Sequence, residues 1–141
     1  MQKVNSLHAL APIKSRGIEQ AGRFISTGGG HDDRVVEFLN NAFEQAVING
    51  ASDIHIEMDD IDGMEVRVRK AGHLEVLAGS LDPEAARVAK TKICAKSKLD
   101  DQERLVPQDG RMMVFFGGRR VDIRVAVTPT VAGYKFVCRL L

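Results

Sequence analysis

Polar and apolar residues alternate through the stretch Asp53-Ile54-His55-Ile56-Glu57-Met58, residues 53–58. Successive side chains of a β-strand point to opposite faces of its sheet. The alternation therefore predicts a strand with its three apolar residues in the core and its three polar residues on the opposite face.

The same period returns twice directly downstream, over residues 64–69 and 73–77. Gly72 lies between these two segments and predicts a tight turn that joins them as a hairpin. Residues 53–77 are therefore expected to form a three-stranded meander.

Two helices are predicted beside this meander. The first begins at an N-cap, Asp32 or Asp33, and ends at Gly50, and its apolar residues recur at helical spacing: Val35, Val36, Leu39, Phe43, Ala46 and Val47. The second begins at Asp82-Pro83-Glu84, where proline suits the first turn, and runs to about Lys96.

Three further strands are expected over residues 112–116, 120–127 and 134–141. Short connections favour antiparallel pairing. The order of helices and strands therefore predicts an α+β domain with about six mostly antiparallel strands and two main helices.

The composition indicates one ordinary globular domain of 141 residues, with 44% hydrophobic and 28% charged residues. Its 20 basic and 19 acidic residues leave a net charge of +1, so no overall field attracts nucleic acid. One tyrosine and no tryptophan provide few platforms for stacking bases. No apolar run reaches the roughly 18 residues that span a bilayer, and no signal peptide precedes the domain, so a cytoplasmic location is expected.

Cys94 and Cys138 have no second cysteine or histidine at metal-ligand spacing. Buried free thiols are the favoured interpretation, and a disulfide between the two remains an alternative. Residues 1–31 end in Ser26-Thr27-Gly28-Gly29-Gly30 and are interpreted as a flexible N-terminal arm or linker. The domain proper is expected over residues 32–141.

Three segments resemble motifs of the ATPases that drive type II secretion and type IV pilus assembly. They are Gly50-Ala51-Ser52-Asp53-Ile54-His55-Ile56-Glu57, Arg104-Leu105-Val106-Pro107-Gln108-Asp109-Gly110-Arg111 and Gly117-Gly118-Arg119-Arg120-Val121-Asp122-Ile123-Arg124-Val125. They occur in the family's order, and the resemblance covers about residues 34–141. The sequence departs from the family at Ala71, where an acidic residue is usual, and at Tyr134, where a glutamate is usual.

The resemblance implies a PAS-like N-terminal domain that is joined to a RecA-like ATPase domain, in a parent protein that forms a homo-hexamer. The parent would use ATP and Mg²⁺, and its partners would include the inner-membrane platform proteins of a secretion or pilus system. A phosphate-binding loop requires the pattern G-x-x-x-x-G-K-[ST], which no segment here fits. This chain alone is therefore expected to have no ATPase activity and no bound cofactor, and it is compatible with a monomer.

Arg111 and Arg124 are the candidate binding residues, because the resemblance implies that arginines of these two segments approach the phosphates of the nucleotide. A guanidinium is always charged and offers a planar fork of donors that suits terminal phosphate oxygens. The alternative is a surface ion pair of Arg111 with Asp109 or Asp122, worth about 0–1 kcal/mol. Arg104, Arg119, Arg120 and Arg139 are weaker candidates, since basic residues on strands often cover a solvated face.

Asp53, His55 and Glu57 have the residue types of a metal or acid–base site. Hydrogen bonding that fixes the first helix to the first strand is the favoured interpretation. Pro107-Gln108-Asp109-Gly110 predicts a turn that aims Arg111 outward. Phe115, Phe116 and Phe136 are expected to be core residues.

The resemblance implies a domain that converts ATP hydrolysis in its neighbour into a rotation that powers pilus biogenesis or protein secretion. The alternative function is a self-standing PAS-like regulatory or protein-interaction domain without ATPase activity. A reading frame that continues past Leu141 into a Walker A motif would distinguish the first from the second.

Overall fold

The computed structural model describes residues 22–26, 31–77, 79–116 and 118–141. Most of the predicted arm over residues 1–31 lies outside these ranges. The described part contains two helices, α1 (His31–Ile48) and α2 (Pro83–Ser97), and six strands, β1 (Asp53–Asp59), β2 (Gly63–Lys70), β3 (His73–Val76), β4 (Gln108–Phe116), β5 (Arg119–Pro129) and β6 (Gly133–Leu140).

The six strands form one sheet in the order β3-β2-β1-β6-β5-β4, and every neighbouring pair is antiparallel. Two meanders, β1 to β3 and β4 to β6, meet where β1 pairs with β6 and Ile56 lies opposite Phe136. The predicted α+β architecture, with six antiparallel strands and two main helices, is confirmed.

Both helices pack against one face of this sheet, here called the inner face. Its strand residues are fully buried and include Ile54, Ile56, Val66, Val114, Ile123 and Phe136. α1 contributes Val35, Leu39 and Phe43 to the same core. The opposite, outer face carries the alternate residues of every strand, and no described element covers it.

The helices begin and end close to the predicted residues. Asp32 and Asp33 lie within the first turn of α1, which begins at His31, and Gly50 after its end has a φ of 71°. The Asp82 side chain caps α2 by accepting a hydrogen bond of 2.8 Å from the Ala85 backbone nitrogen.

Residues 22–26 pack against the folded domain. The Phe24 ring is 4% exposed and lies 5.3 Å from the Phe43 ring, centroid to centroid. The Asn40 side chain exchanges hydrogen bonds of 2.9 and 3.0 Å with the Phe24 backbone, and Lys92 donates to the carbonyl of Ile25 at 2.9 Å. This short stretch of the predicted arm is therefore held against both helices.

The turn predicted at residues 107–110 is wrong, because β4 begins at Gln108 and pairs with β5 from there onward. A Cβ atom on Gly110 would lie 2.6 Å from the carbonyl oxygen of Ser97. The glycine thus permits a close approach of β4 to the end of α2, rather than a reversal of the chain. Arg111 is consequently oriented by its strand.

The tight turn predicted between the second and third strands is confirmed, with positive φ at both Ala71 (51°) and Gly72 (82°).

Cys94 and Cys138 are buried free thiols, so the alternative disulfide is absent. Burial raises the pKa of Cys94 to about 11 and that of Cys138 to about 12. Phe116 and Phe136 are core residues as predicted, whereas Phe115 is half-buried on the outer face.

Candidate functional site

Three arginines lie side by side on the outer face of the sheet. Arg111 on β4 is directly opposite Arg124 on β5, and Arg124 is directly opposite Arg139 on β6. We call Arg111, Arg124 and Arg139 the arginine row. Directly opposite residues of antiparallel strands have Cβ atoms about 4.5–5.5 Å apart, so the three side chains leave the sheet as neighbours.

The alternation of the strands determines that these arginines face outward. On β5, Ile123 and Val125 flank Arg124 and are buried on the inner face. Met112 next to Arg111 and Cys138 next to Arg139 are likewise buried on the inner face. Turning an arginine inward would expose its buried neighbours, so the apolar residues fix the orientation of the charged ones.

Arg111 and Arg124 are exposed, and neither guanidinium forms an ion pair with any residue that the structure describes. The surface ion pair of Arg111 with Asp122 is not formed, because Asp122 contacts Arg120 at 3.3 Å. An ion pair of Arg111 with Asp109 is also absent from the described part of the chain. Both predicted binding residues thus present free guanidinium groups, although a nucleotide contact remains a prediction.

Asp53 lies at the end of the arginine row, directly opposite Arg139 on one side and Arg69 on the other. Its Oδ1 atom accepts a hydrogen bond of 3.2 Å from Nε of Arg139, and its Oδ2 atom lies 3.8 Å from Nε of Arg69. The residue is only 5% exposed. Asp53 therefore neutralises one end of a row whose other end carries uncompensated positive charge.

The pKa of Asp53 reflects two opposing effects. Burial by itself raises the pKa of this carboxyl, but hydrogen bonds from Ser52 and Arg139 and the positive charge of Arg139 outweigh burial. The pKa is lowered as a result. Asp53 therefore carries its negative charge throughout the neutral range.

Asp53, His55 and Glu57 share the outer face, as the alternation predicts. The expected hydrogen bonding to the first helix is wrong: Asp53 bonds to Ser52 and to Arg139 of β6, and Glu57 lies 3.9 Å from Lys135, also of β6. These contacts link neighbouring strands. Burial lowers the pKa of His55, and no group of three or more His, Cys, Asp or Glu in the described ranges could hold a metal ion.

The arginine row is the strongest candidate for an anion-binding surface in the described chain. Like charges directly opposite each other on a sheet destabilise it. The arginine row contains two such pairs, Arg111 with Arg124 and Arg124 with Arg139. Planar guanidinium groups bind phosphate and carboxylate oxygens with two parallel hydrogen bonds.

The sequence motifs place Arg139 below Arg111 and Arg124 as a candidate, and the strand register changes that order. A short β5–β6 connection restricts the register of this hairpin, but the pairing of Arg124 with Arg139 is given only by the structure. Arg119 and Arg120 lie at the start of β5 and Arg104 precedes β4, so none of them belongs to the row.

The model of the family described as type II/IV secretion system protein matches residues 30–141. The chain belongs to this family.

Its relatives include "Type II secretion system ATPase E" of Vibrio cholerae, which is 41% identical over 111 residues, 78% of this chain and 22% of the relative. "Type II secretion system protein HxcR" of Pseudomonas aeruginosa is 42% identical over 108 residues, 76% of this chain and 22% of the relative. The chain thus spans about a fifth of the length of these relatives. Neither described helix is long and apolar enough to cross a membrane.

Proposed function

We propose that this chain is the N-terminal domain of a hexameric secretion or pilus assembly ATPase, and that Arg111 and Arg124 contact the phosphates of ATP bound by its RecA-like domain. The contact forms when ATP is present and is lost after hydrolysis. The domain then rotates, and this rotation powers type II protein secretion or type IV pilus biogenesis.

One observation carries the proposal: Arg111 and Arg124 are adjacent, exposed and free of carboxylate partners in the described part of the chain. An arginine with a carboxylate partner would have to break that ion pair before it bound phosphate. These two have no such competitor. They are therefore ready to bind an anion presented by another domain.

The chemistry of the nucleotide makes such a contact sensitive to its state. Hydrolysis removes the terminal phosphoryl group and with it the charged oxygens that a guanidinium fork binds bidentately. A rigid sheet transmits the loss of the contact as a movement of the whole domain. The switch requires no phosphate-binding loop in this chain, since the RecA-like domain binds the ATP and Mg²⁺.

The relatives support the secretion setting, because two of them are named as type II secretion system proteins and one of these as an ATPase. Since the chain spans only about a fifth of each relative, the ATPase activity is a property that we assign to the parent protein. We further propose a cytoplasmic location, with inner-membrane platform proteins as partners of the parent.

The test uses the full-length protein that contains this chain and its ATPase domain. Arg124→Gln and Arg111→Gln should each lower kcat by about tenfold or more, because arginines that stabilise transferred phosphoryl groups often contribute larger factors. Arg67→Gln is the matched control, because it removes the same charge from the same outer face of the sheet. Arg67 lies on β2 and already pairs with Glu65 at 3.0 Å. An unchanged kcat in Arg124→Gln would refute the sensing role.

A groove at the end of the sheet favours a second candidate, a self-standing domain that binds a partner. It has a volume of about 760 Å³, within the range of known binding sites, and the residues that line it include Glu57, Asp59, Glu65 and Tyr134. Sequencing the gene beyond the codon of Leu141 distinguishes the candidates. A Walker A motif in the same frame supports the ATPase, and a stop codon supports the self-standing domain.

A further inference from the structure

We propose that Arg139 is a third phosphate-binding residue, which extends the site of Arg111 and Arg124 along the phosphate chain of the nucleotide. The inference rests on the proposed function, whose site it enlarges. It assigns a role to a residue that the sequence makes only a weaker candidate.

The strand register places Arg139 in the site. Arg124 lies directly opposite Arg111 on one side and directly opposite Arg139 on the other. Neighbouring strands are about 4.8 Å apart, so the row extends roughly 10 Å across three strands. A row of this length can contact more than one phosphoryl group, whereas Arg111 and Arg124 alone cover half of it.

The contact with Asp53 orients the Arg139 side chain and leaves its binding groups available. Asp53 accepts a hydrogen bond from Nε of Arg139, at 3.2 Å. A guanidinium has five donors in a rigid fork, so this bond leaves the two terminal amino groups to bind an anion. The side chain remains 68% exposed despite its buried partner. Asp53 thus orients the Arg139 side chain, and its terminal amino groups stay available to an anion.

The charge balance of the row points to an anion with several negative charges. Asp53 supplies one negative charge, and it lies between Arg139 and Arg69, on the side of Arg139 that is remote from Arg124. Arg124 has an arginine on both sides. A bound phosphate chain would relieve the repulsion at all three arginines, which a single carboxylate would not.

The experiment is an NMR titration of the ¹⁵N-labelled chain, residues 1–141, with sodium tripolyphosphate at constant ionic strength. Without a phosphate-binding loop or Mg²⁺ site the affinity should be weak, in the millimolar range, because little of the site is pre-organised. We expect saturable shifts of the backbone amide signals of Arg111, Arg124 and Arg139. Arg139→Gln should weaken binding about tenfold, a typical effect of losing hydrogen bonds to a charged group.

Two further variants separate a specific site from general charge. Arg67→Gln removes one positive charge from the same face outside the row and should bind as the original chain does. Arg139→Lys keeps the charge but lacks the planar fork, and it should bind about threefold more weakly than the original chain. A dispersed amide spectrum before the titration verifies that each variant is folded.

Several results would overturn the inference: no saturable shifts in the original chain, unchanged binding in Arg139→Gln, equal weakening in Arg67→Gln, or full rescue by Arg139→Lys. These results are independent of ATP hydrolysis. If Arg139→Gln weakens tripolyphosphate binding while Arg124→Gln leaves kcat of the full-length protein unchanged, the phosphate site is real and the proposed nucleotide sensing is wrong.

Discussion

The two faces of the sheet obey different physical rules, although they belong to the same strands. On β5 the inner face carries Val121, Ile123, Val125 and Val127, which are at most 3% exposed, while the outer face carries Arg120, Asp122 and Arg124. The inner residues are placed by removal from water, which stabilises each one by about 1.5–3 kcal/mol. The exposed outer residues contribute little to stability, and the position of Arg124 between Arg111 and Arg139 is informative about binding.

This difference shows that stability and function can be changed separately in this domain. Inner-face substitutions should lower stability by several kcal/mol, whereas substitutions of exposed outer-face residues should alter binding and change stability little. Four predictions test this separation, from the largest expected effect to the smallest.

Phe136→Ala should lower the free energy of unfolding by about 3–5 kcal/mol, because it removes a fully buried ring at the centre of the sheet and leaves a cavity in its place. Val137→Ala, one residue along on the outer face, should cost less than about 1 kcal/mol. Urea unfolding followed by circular dichroism measures both. Equal losses in the two variants would show that the outer face is also covered.

Gly110→Ala should cost about 1–3 kcal/mol, since its Cβ would lie 2.6 Å from the Ser97 carbonyl oxygen and would force β4 away from α2. Asp109→Ala is the neighbouring control on the exposed outer face, and its effect should stay within about 0.5 kcal/mol. Thermal melting of both variants measures these two losses of stability. An unchanged melting temperature in Gly110→Ala would mean that β4 and α2 are not in close contact at this residue.

Asp53→Asn should lower stability by about 1–2 kcal/mol at pH 7, because it weakens charge-assisted bonds to Arg139. The pKa of Asp53 lies below its ordinary value of 3.8 in the folded protein, so its contribution is present above about pH 4 and is lost as the pH falls through the folded value. Urea unfolding from pH 7 to pH 3 should therefore show the two proteins converging at acidic pH. A constant difference would mean that the charge of Asp53 is not involved.

Ala71→Asn should raise stability by about 0.5–1 kcal/mol, because asparagine tolerates the positive φ of 51° better than alanine does. Ala71→Val should act in the opposite direction, since a β-branched residue is strained in this conformation. The melting temperatures of the two variants give the comparison. The substitution lies in the β2–β3 turn, outside the row, and should leave anion binding unchanged.

The elements of the fold were predictable because their signals are local. Alternation in β1, the Asp82 cap of α2 and the turn at Gly72 each depend on neighbouring residues, and each is present in the structure. Gly110 was misassigned because Asp-Gly favours turns locally, while the actual requirement is contact with Ser97, 13 residues away. Packing at that distance has no local signature.

The candidate site was predictable only in part. The motifs identified Arg111 and Arg124, but Arg139 and the cross-strand contact of Asp53 required the pairing of β5 with β6 and of β6 with β1. Residues 22–26 were assigned to a flexible arm from their composition, yet Phe24 is buried against α1. Composition does not indicate that a single aromatic residue packs in the core.

In every strand except β3, the period of two assigns side chains to the core or to the outer face from local residues alone. In β3 the apolar Leu74 and Val76 are exposed. That three outward arginines lie in one row with Asp53 at its end follows from the strand pairing of the folded domain. The reason is physical: the direction of a side chain depends on the local backbone, but its neighbours across a sheet depend on strand order and register, which the whole core fixes together.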